Sequence, residues 1–528
     1  MQDKNKIRNA LLSVSNKINI VTLAKNLVIR NIKIFSTGGT SKILKKSGIE
    51  VIEISDYTQF PEIMNGRVKT LHPKIHAGIL ARKNIDNSIM KNQGIIKMDM
   101  VVVNFYPFSN AISNKKLNSD DIIEYIDIGG PTMVRSAAKN YKNVVVVVNI
   151  SDYNFIISEI DKNNNEITLD TRFQLAVSAF NYVMKYDTII SNYFCDYNKK
   201  IEKHDFQTKS LPKKIELNFI KKQDLRYGEN QHQKSAFYIE ENKSKNNTQE
   251  IRQIQGLSLS YNNVLDSNVA IECIQEFNKP TCVIVKHGNP CSVATSNNIL
   301  SAYLEAYKKD PISSFGGVIA FNHPLDIKTI KTIIAQQFVE VILAPGIDKK
   351  ILKITEKKPK IRILLFNINY IHSNQLEYKS IQGGLLVQET DTNIESINDW
   401  KIVTKKQPSY QELKDASFAW KVVKYVKSNA IVYVKNLITV SIGAGQMSRM
   451  YSTKIANMKA EDLKLNIKGS VMASDAFFPF RDGIDFAALV GITCIIQPGG
   501  SIRDSEIIAA ADQHNISMLF TKIRHFRH

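Results

Sequence analysis

Five consecutive valines, Val144–Val148, constrain the fold of this chain more than any other stretch. An unbroken β-branched run has no polar face. A strand made from it must be covered on both sides, as in a parallel sheet flanked by helices. The residues before it read the same way. Asn9–Val14, Ile32–Phe35, Val51–Ile54 and Met100–Asn104 are strand-like, with helical stretches over Lys17–Ile29 and Ser41–Ser47 between them. Residues 8–150 therefore predict an α/β domain built on a parallel sheet. One long helix is expected over 171–195, after which the lysine-rich stretch Tyr197–Lys214 loses its apolar pattern. These shifts place a first domain at 1–197 with its core at 1–150, a linker at 198–217 and a second part at 218–528.

The second part holds an apolar strand that ends at Lys286-His287 and turns through Gly288-Asn289-Pro290. Ser313–Gly317, Glu340–Gly346 and a poorly patterned, lysine-rich stretch at 347–380 follow, before Gly383-Gly384. Beyond these come strands at Ala430–Val434 and Ile438–Ile442 around a Lys435-Asn436 turn. Further strands at Ser470–Ser474, Thr493–Ile496 and Ser517–Phe520 alternate with helices at 481–490 and 503–514. Two successive α/β units are expected, at about 218–375 and 376–528, with no residue-level periodicity relating them.

The formal charge of +20 admits a nucleic-acid partner. The lysines, however, are scattered among Asn and Ile rather than gathered into a block, so nucleic acid is not the expected ligand. The positive field suits the collection of phosphorylated substrates instead. Cys195, Cys273, Cys282, Cys291 and Cys494 are odd in number and lack Cys-x-x-Cys spacing, which argues against a disulfide framework and against structural zinc. No apolar stretch approaches the ~20 residues that cross a bilayer. The N-terminal residues carry no signal-peptide h-region, so the cytoplasm is the expected compartment.

Several strand ends carry chemistry. A strand, then Thr37-Gly38-Gly39-Thr40, then a helix forms a phosphate cradle: the glycines let backbone N–H groups approach, and the helix N-terminus adds positive potential. Ser13, Ser15 and Lys17 repeat the theme at another strand end. Arg67 offers a fork suited to phosphate, with Lys69 and Thr70 just behind it. Asn104 and Tyr106 close the 100–104 strand. Asp127 precedes the Gly129-Gly130 turn, whose helix carries Arg135 and Lys139. Taken singly, Tyr106 reads as an edge-packing aromatic and Asp127 as a helix N-terminal partner. Lys286 beside His287 sets a proton donor next to a proton acceptor.

A set of segments, in order along the chain, resembles one family. In the first part they are Ser-Val-Ser-x-Lys (13–17), Gly-Arg-Val-Lys-Thr-Leu-His-Pro (66–73), Asn-Phe-Tyr-Pro-Phe (104–108), Ile-Asp-Ile-Gly-Gly (126–130) and Ala-Ala-Lys-Asn (137–140). In the second they are Leu-Arg-Tyr-Gly-Glu-Asn (225–230), Val-Lys-His-x-Asn-Pro-Cys (285–291), Ser-Ser-Phe-Gly (313–316) and Ile-Gly-Ala-Gly-Gln (442–446). Ser-Asp-Ala-Phe-Phe-Pro-Phe-Arg-Asp (474–482) and Gln-Pro-Gly-Gly-Ser-Ile-Arg-Asp (497–504) complete it. The family is the bifunctional purine-biosynthesis enzymes that join AICAR transformylase to IMP cyclohydrolase. The resemblance implies a methylglyoxal-synthase-like, doubly wound parallel-sheet domain that closes the purine ring. It implies a second part, built of two cytidine-deaminase-like α/β units, that transfers a formyl group from the cosubstrate 10-formyltetrahydrofolate to AICAR. AICAR, FAICAR, IMP and folate are the implied ligands, and a homodimer with the transformylase site at its interface the implied assembly. No catalytic metal is expected, because the His-x-Glu and Pro-Cys-x-x-Cys signature of zinc deaminases is missing and Cys291 has no partner three residues on.

Residue roles follow from the same resemblance. His287 is the base, Lys286 supports the leaving group or the oxyanion, and Asn289 orients the formyl group. Arg226, Tyr227, Arg449, Phe477 and Arg524 bind the nucleotide, with Gly316 in the same set, Asn429 at the carboxamide and Glu340 on the same ligand. In the first domain Ser13, Ser15, Lys17, Thr37, Gly39, Thr40, Arg67 and Thr70 hold the phosphate end. Lys69, Tyr106, Asp127 and Lys139 form the proton-transfer group, positioned by Asn104. The chain departs from the family at Asn16, Gln231, Ser292 and Leu437, where Asp, Pro, Gly and Gly are usual. Leu437 is expected to strain a two-residue turn. Two rival classes, a basic nucleic-acid binder on an enzyme scaffold and a zinc nucleoside deaminase, lack their own signatures here.

Overall fold

A computed structural model describes residues 6–114, 116–201, 211, 214–215, 217–240, 251–369, 376–392 and 396–528. The chain divides into two compact units, Met1–Pro212 and Lys213–His528. The long helix of the first runs over Leu169–Ile201, past the end expected at 195 and into the expected linker. Most of the rest of that linker lies outside the described residues.

In the first unit β1 (Asn9–Val14), β2 (Lys33–Ser36), β3 (Ile52–Glu53), β4 (Met100–Asn104) and β5 (Val145–Val147) form a parallel sheet in the order β3-β2-β1-β4-β5. Every valine of the 144–148 run is buried, and so are Met100–Val103 beside it, because helices cover both faces of the sheet centre. The strand order reverses between β1 and β4. That reversal opens a crevice beyond the C-terminal strand ends, the usual place for a ligand in an open α/β sheet.

The second unit begins with a hairpin, β6 (Phe219–Asp224) and β7 (Ala236–Glu240). Its first half supplies β8 (Arg252–Gln255), β9 (Thr281–Lys286), β10 (Asn289–Thr295), β11 (Val318–Phe321), β12 (Val341–Ala344) and β13 (Arg362–Leu365). A separate hairpin, β14 (Leu376–Ile381) and β15 (Gly384–Glu389), follows. The second half supplies β16 (Lys401–Ile402), β17 (Ile431–Lys435), β18 (Ile438–Gly443), β19 (Val471–Ser474), β20 (Cys494–Gln497) and β21 (Ser517–Phe520). The stretch expected to be poorly patterned thus contains a helix, Lys350–Thr355, and β13. Arg362 hides that strand from a periodicity reading: it is buried in β13 through its ion pair with Glu340.

The two halves form one mixed sheet of twelve strands, ordered β16-β21-β20-β19-β17-β18-β10-β9-β11-β12-β13-β8. From its centre outward each half repeats one plan. A hairpin (β9–β10 or β17–β18) is followed by an antiparallel neighbour (β11 or β19), two parallel strands, and an antiparallel edge (β8 or β16). The halves meet where β10 pairs with β18. There Thr439 Oγ1 accepts from Val293 N–H at 2.8 Å and lies 3.1 Å from Ser292 Oγ. Ser292, a departure from the family, therefore has a buried partner at the seam. One apolar core runs unbroken across both halves on one face, joining Val283 and Val285 to Val432, Val434 and Ile496. Each half has its own core on the other face. Neither half could bury the shared face alone, so the two α/β units make one folding body.

Candidate active sites

In the first unit the ends of β1, β2 and β4 surround the crevice. Gly38 opens its helix in the left-handed region, at φ 47°, after the extended Thr37. Ser13 Oγ lies 3.3 Å from Thr37 Oγ1, and Lys17 Nζ donates to Thr40 Oγ1 at 3.0 Å. A Cβ on Gly39 would meet Lys17 Cε at 4.0 Å. Burial lowers the Lys17 ammonium from its ordinary value. Across the strand reversal, Asn16 N–H donates to Asn104 Oδ1 at 2.8 Å, and Asn104 Nδ2 donates back to Asn16 O at 3.3 Å. The Asn16 side chain, where Asp is usual, accepts from Ile18 N–H at 3.0 Å.

Of the residues expected to move protons, Lys69 and Asp127 lie near one another. A Cβ on Gly38 would stand 3.5 Å from Lys69 Nζ, so the lysine reaches the mouth of the cradle. It pairs with Glu62, and its charge acts on Asp127. Asp127 is fixed from both sides: Tyr186 OH accepts its N–H at 2.8 Å, and its Oδ1 accepts from Gly130 N–H at 2.9 Å. Burial raises the Asp127 carboxyl above the ordinary range, opposed by the Gly130 and Gly129 N–H groups and by Lys69. Tyr106 stacks on Tyr125 at 4.8 Å between ring centroids. Thr70 Oγ1 sits 2.5 Å from where a Cβ on Gly129 would be. Arg67 forms a two-point ion pair with Glu124, at 3.0 and 2.7 Å, on an exposed surface. Lys139 is not brought into this group. It ends the helix Gly129–Lys139, about 15 Å along the axis from the Gly129 turn.

In the second unit the pair Lys286-His287 sits on a hairpin, not on the longer Gly-Asn-Pro turn expected. The turn consists of His287 (φ 55°) and Gly288 (φ 70°), and Asn289-Pro290 already belongs to β10. Asp266, from the helix Tyr261–Gln275, accepts from Gly288 N–H at 2.6 Å and from His287 N–H at 3.3 Å. Lys286 Nζ donates to Phe315 O at 2.8 Å, which sets it beside Gly316. Asn289 Oδ1 accepts from Lys427 N–H at 2.8 Å, tying the turn to the loop that carries Asn429. Asn429 donates from Nδ2 to Gln446 O at 2.8 Å and accepts from Ser452 Oγ at 2.7 Å. Arg449 then donates to Phe477 O at 3.1 Å and to Asp475 Oδ1 at 2.7 Å. His525 N–H bonds Asp475 O at 3.0 Å, bringing neighbouring Arg524 to the same rim.

The remaining expected ligand-binding residues of this unit make a second set of contacts. Glu340 Oε2 accepts from Asn263 Nδ2 and from Arg362 Nη1, each at 3.1 Å. Arg226 lies over the Tyr227 ring and donates to its hydroxyl at 3.1 Å. Among the described residues no group of three or more His, Cys, Asp or Glu side chains is placed to hold a metal ion. Sequence reasoning missed Asp266, Asp475, Asn263 and Arg362, which act through other residues. For Asp475 the burial is decisive: its side chain is 0% exposed and that of Arg449 is 9%. Asp475→Ala would leave that guanidinium buried without its counter-charge, and a loss of roughly 3–5 kcal/mol is expected. A fall in the urea midpoint of the second unit checks it.

The matches to known proteins follow this geometry. The family model "AICARFT/IMPCHase bienzyme" matches residues 137–459, and the model "MGS-like domain" matches residues 19–132. Three curated relatives from Buchnera aphidicola subsp. Acyrthosiphon pisum, strains Tuc7, 5A and APS, are named bifunctional purine biosynthesis protein PurH. Each is 58% identical over 529 residues, covering 100% of this chain and 100% of its own length. A solved chain described as the crystal structure of ForH is 32% identical, covers 35% of this chain and 96% of its own, and aligns with a TM-score of 0.33. The chain therefore belongs to the AICARFT/IMPCHase bienzyme family and is a bifunctional enzyme of purine biosynthesis.

Proposed function

We propose that the last two steps of IMP synthesis occupy two separate pockets of this chain, one in each unit. The observation that carries this is the hairpin turn holding Lys286 and His287 beside the Asn429–Arg449–Asp475 arc, in a unit distinct from the Asp127–Lys69 group. In the second unit, the amine of AICAR attacks the formyl carbon of 10-formyltetrahydrofolate. That amine is a poor nucleophile because its lone pair is delocalised into the ring and carboxamide. His287 takes the proton from the attacking nitrogen, Asn289 orients the formyl oxygen, and Lys286 supports protonation of the departing folate nitrogen. Arg226, Tyr227, Arg449, Phe477 and Arg524 bind the nucleotide, with Gly316, Glu340 and Asn429 around the base.

In the first unit the carboxamide nitrogen of FAICAR attacks its formyl carbon, and water leaves to form the pyrimidine ring. Holding the phosphate in the Ser13–Thr40 cradle and the base beyond Asn104 brings the two groups into reacting geometry. Lys69 faces the developing oxyanion, and the buried Asp127 carboxyl is suited to carry a proton during dehydration. Tyr106 belongs to the same proposed group. Lys139, at the other end of its helix, is assigned no step within its own chain.

Two copies of the chain are proposed to pair at the second unit, in the cytoplasm. The supporting observation is a pair of two-stranded hairpins with exposed Phe219, Ile220, Leu385 and Leu386, since an isolated hairpin is marginal in water unless its apolar side is covered. Light scattering should report a dimer that Leu386→Glu weakens; a monomeric parent protein removes this part. The functional reading is tested by absorbance while the purified protein is incubated with AICAR and 10-formyltetrahydrofolate. IMP should form. Accumulation of FAICAR alone would sink the assignment of ring closure to the first unit, and no consumption of AICAR would sink both.

A further inference from the structure

The second unit contains one carboxylate device twice. In its first half, Ser260 caps the helix Tyr261–Gln275 in a capping box with Asn263, and Asp266 reaches the His287–Gly288 turn. In its second half, Ser409 caps the helix Tyr410–Val423 in a capping box with Glu412. There Asp415 accepts from Asn436 N–H at 2.9 Å and from Leu437 N–H at 2.7 Å. The serine, tyrosine and aspartate stand at the same spacing in both segments, 260–266 and 409–415. Each turn requires two successive left-handed residues, with φ of 55° and 70° in the first and 56° and 59° in the second. His287 and Leu437 carry side chains that disfavour that region. Two consecutive N–H groups presented by such a turn make a small anion-binding concavity, filled by the half-buried Asp266 in the first half and the buried Asp415 in the second.

We propose that Asp266 is a positioning residue for formyl transfer, holding His287 and Gly288 in the left-handed turn that presents the Lys286–His287 pair. Asp415 applies the same hold to a turn that carries no proposed reactive group. The proposal rests on the reading of His287 as the base. Three further observations support it. Burial raises the Asp266 carboxyl, while the Gly288 and His287 N–H groups, the imidazole and Lys427 draw it back; the group is held there for its contacts, not for its own solvation. The turn is gripped again on its exit side, where Asn289 accepts from Lys427 N–H. Lys286 is gripped through Phe315 O. Asp266 thus supplies the hold on the imidazole-bearing residue itself.

The test compares Asp266→Ala, Asp266→Asn and Asp415→Ala in the full chain. It measures kcat and KM for AICAR in formyl transfer, and ring closure separately from supplied FAICAR. Misplacing a reacting group by about 1 Å costs up to ~10²-fold, so Asp266→Ala is expected to lower formyl-transfer kcat by about 10- to 100-fold with KM for AICAR within about twofold of the parent. Asp266→Asn keeps one acceptor oxygen and should recover part of that loss. Asp415→Ala should keep kcat within about twofold, and ring closure should be unchanged in all three. Equal kcat in Asp266→Ala and Asp415→Ala, or a loss confined to KM, overturns the proposal. His287→Ala run alongside separates the two ideas: full activity in that variant removes the underlying reading, whereas its inactivity with an unimpaired Asp266→Ala removes only the positioning role.

Discussion

Replacing His287 with alanine is expected to lower formyl-transfer turnover by roughly 10²–10⁴ and to leave ring closure at its parent rate. The size follows from the chemistry. The attacking amine is nearly amide-like, so the bond to the formyl carbon cannot mature unless a proton leaves nitrogen as it forms. The imidazole is the basic side chain on the turn, which is tied to the surrounding arc through Asn289 and the Lys427–Asn429 loop. Alanine occupies the left-handed position with the same Cβ as histidine, so the Asp266 contacts to the backbone remain available. The residues proposed for ring closure belong to the other compact unit and are untouched by the substitution. Initial rates with AICAR and 10-formyltetrahydrofolate, and separately with FAICAR, decide the matter. Unchanged formyl transfer in this variant takes His287 out of the mechanism.

The second large effect is expected at Asp127. Asp127→Asn should depress ring closure by roughly 10²–10⁴ while formyl transfer proceeds normally. The same substitution should stabilise the first unit at neutral pH. Burial is the leading cause of the raised carboxyl, outweighing the Gly130 and Gly129 N–H groups and Lys69. A carboxyl raised in the folded state contributes its full stability only below its unfolded value, and that contribution is lost as pH rises through the folded value. Above its folded value the ionised Asp127 therefore weakens the fold. Asparagine removes the buried charge and keeps an oxygen for Gly130 N–H, which Asp127 Oδ1 now accepts at 2.9 Å. Urea unfolding of parent and variant at pH 7 and at pH 3.5 measures this. The variant's midpoint should be higher at pH 7, with the gap closing in acid. A lower midpoint at pH 7 would show that the hydrogen bonds and Lys69 dominate, and unimpaired ring closure would remove Asp127 from the proton-transfer group.

Opposed stability and activity at one residue are what a functional carboxylate in an apolar setting should produce. The strained turns show the same balance. Leu437, expected to strain its turn, does adopt a left-handed conformation, and a non-glycine residue there costs about 1–2 kcal/mol. Asp415 is the group that offsets it. This explains how the chain keeps a leucine where glycine is usual in the family, without losing the hairpin that joins the two halves.

The parallel sheet, its buried valines, the strand–helix turn at Gly38-Gly39 and the strand ending at Lys286 were all legible from contiguous residues. Periodicity of two, a demand for positive φ and a missing polar face are properties that a short segment carries with it, whatever surrounds it. The fusion of two α/β units into one sheet was not legible, because the Ala294–Ile438 pairing joins residues far apart in the chain. Nor was the grip of Asp266 on the His287 turn, the approach of Lys69 to Gly38, or the distance of Lys139 from the group it was expected to join. Those depend on which surfaces meet once the core closes. A carboxylate's partner is chosen by packing across elements, and no local pattern encodes it.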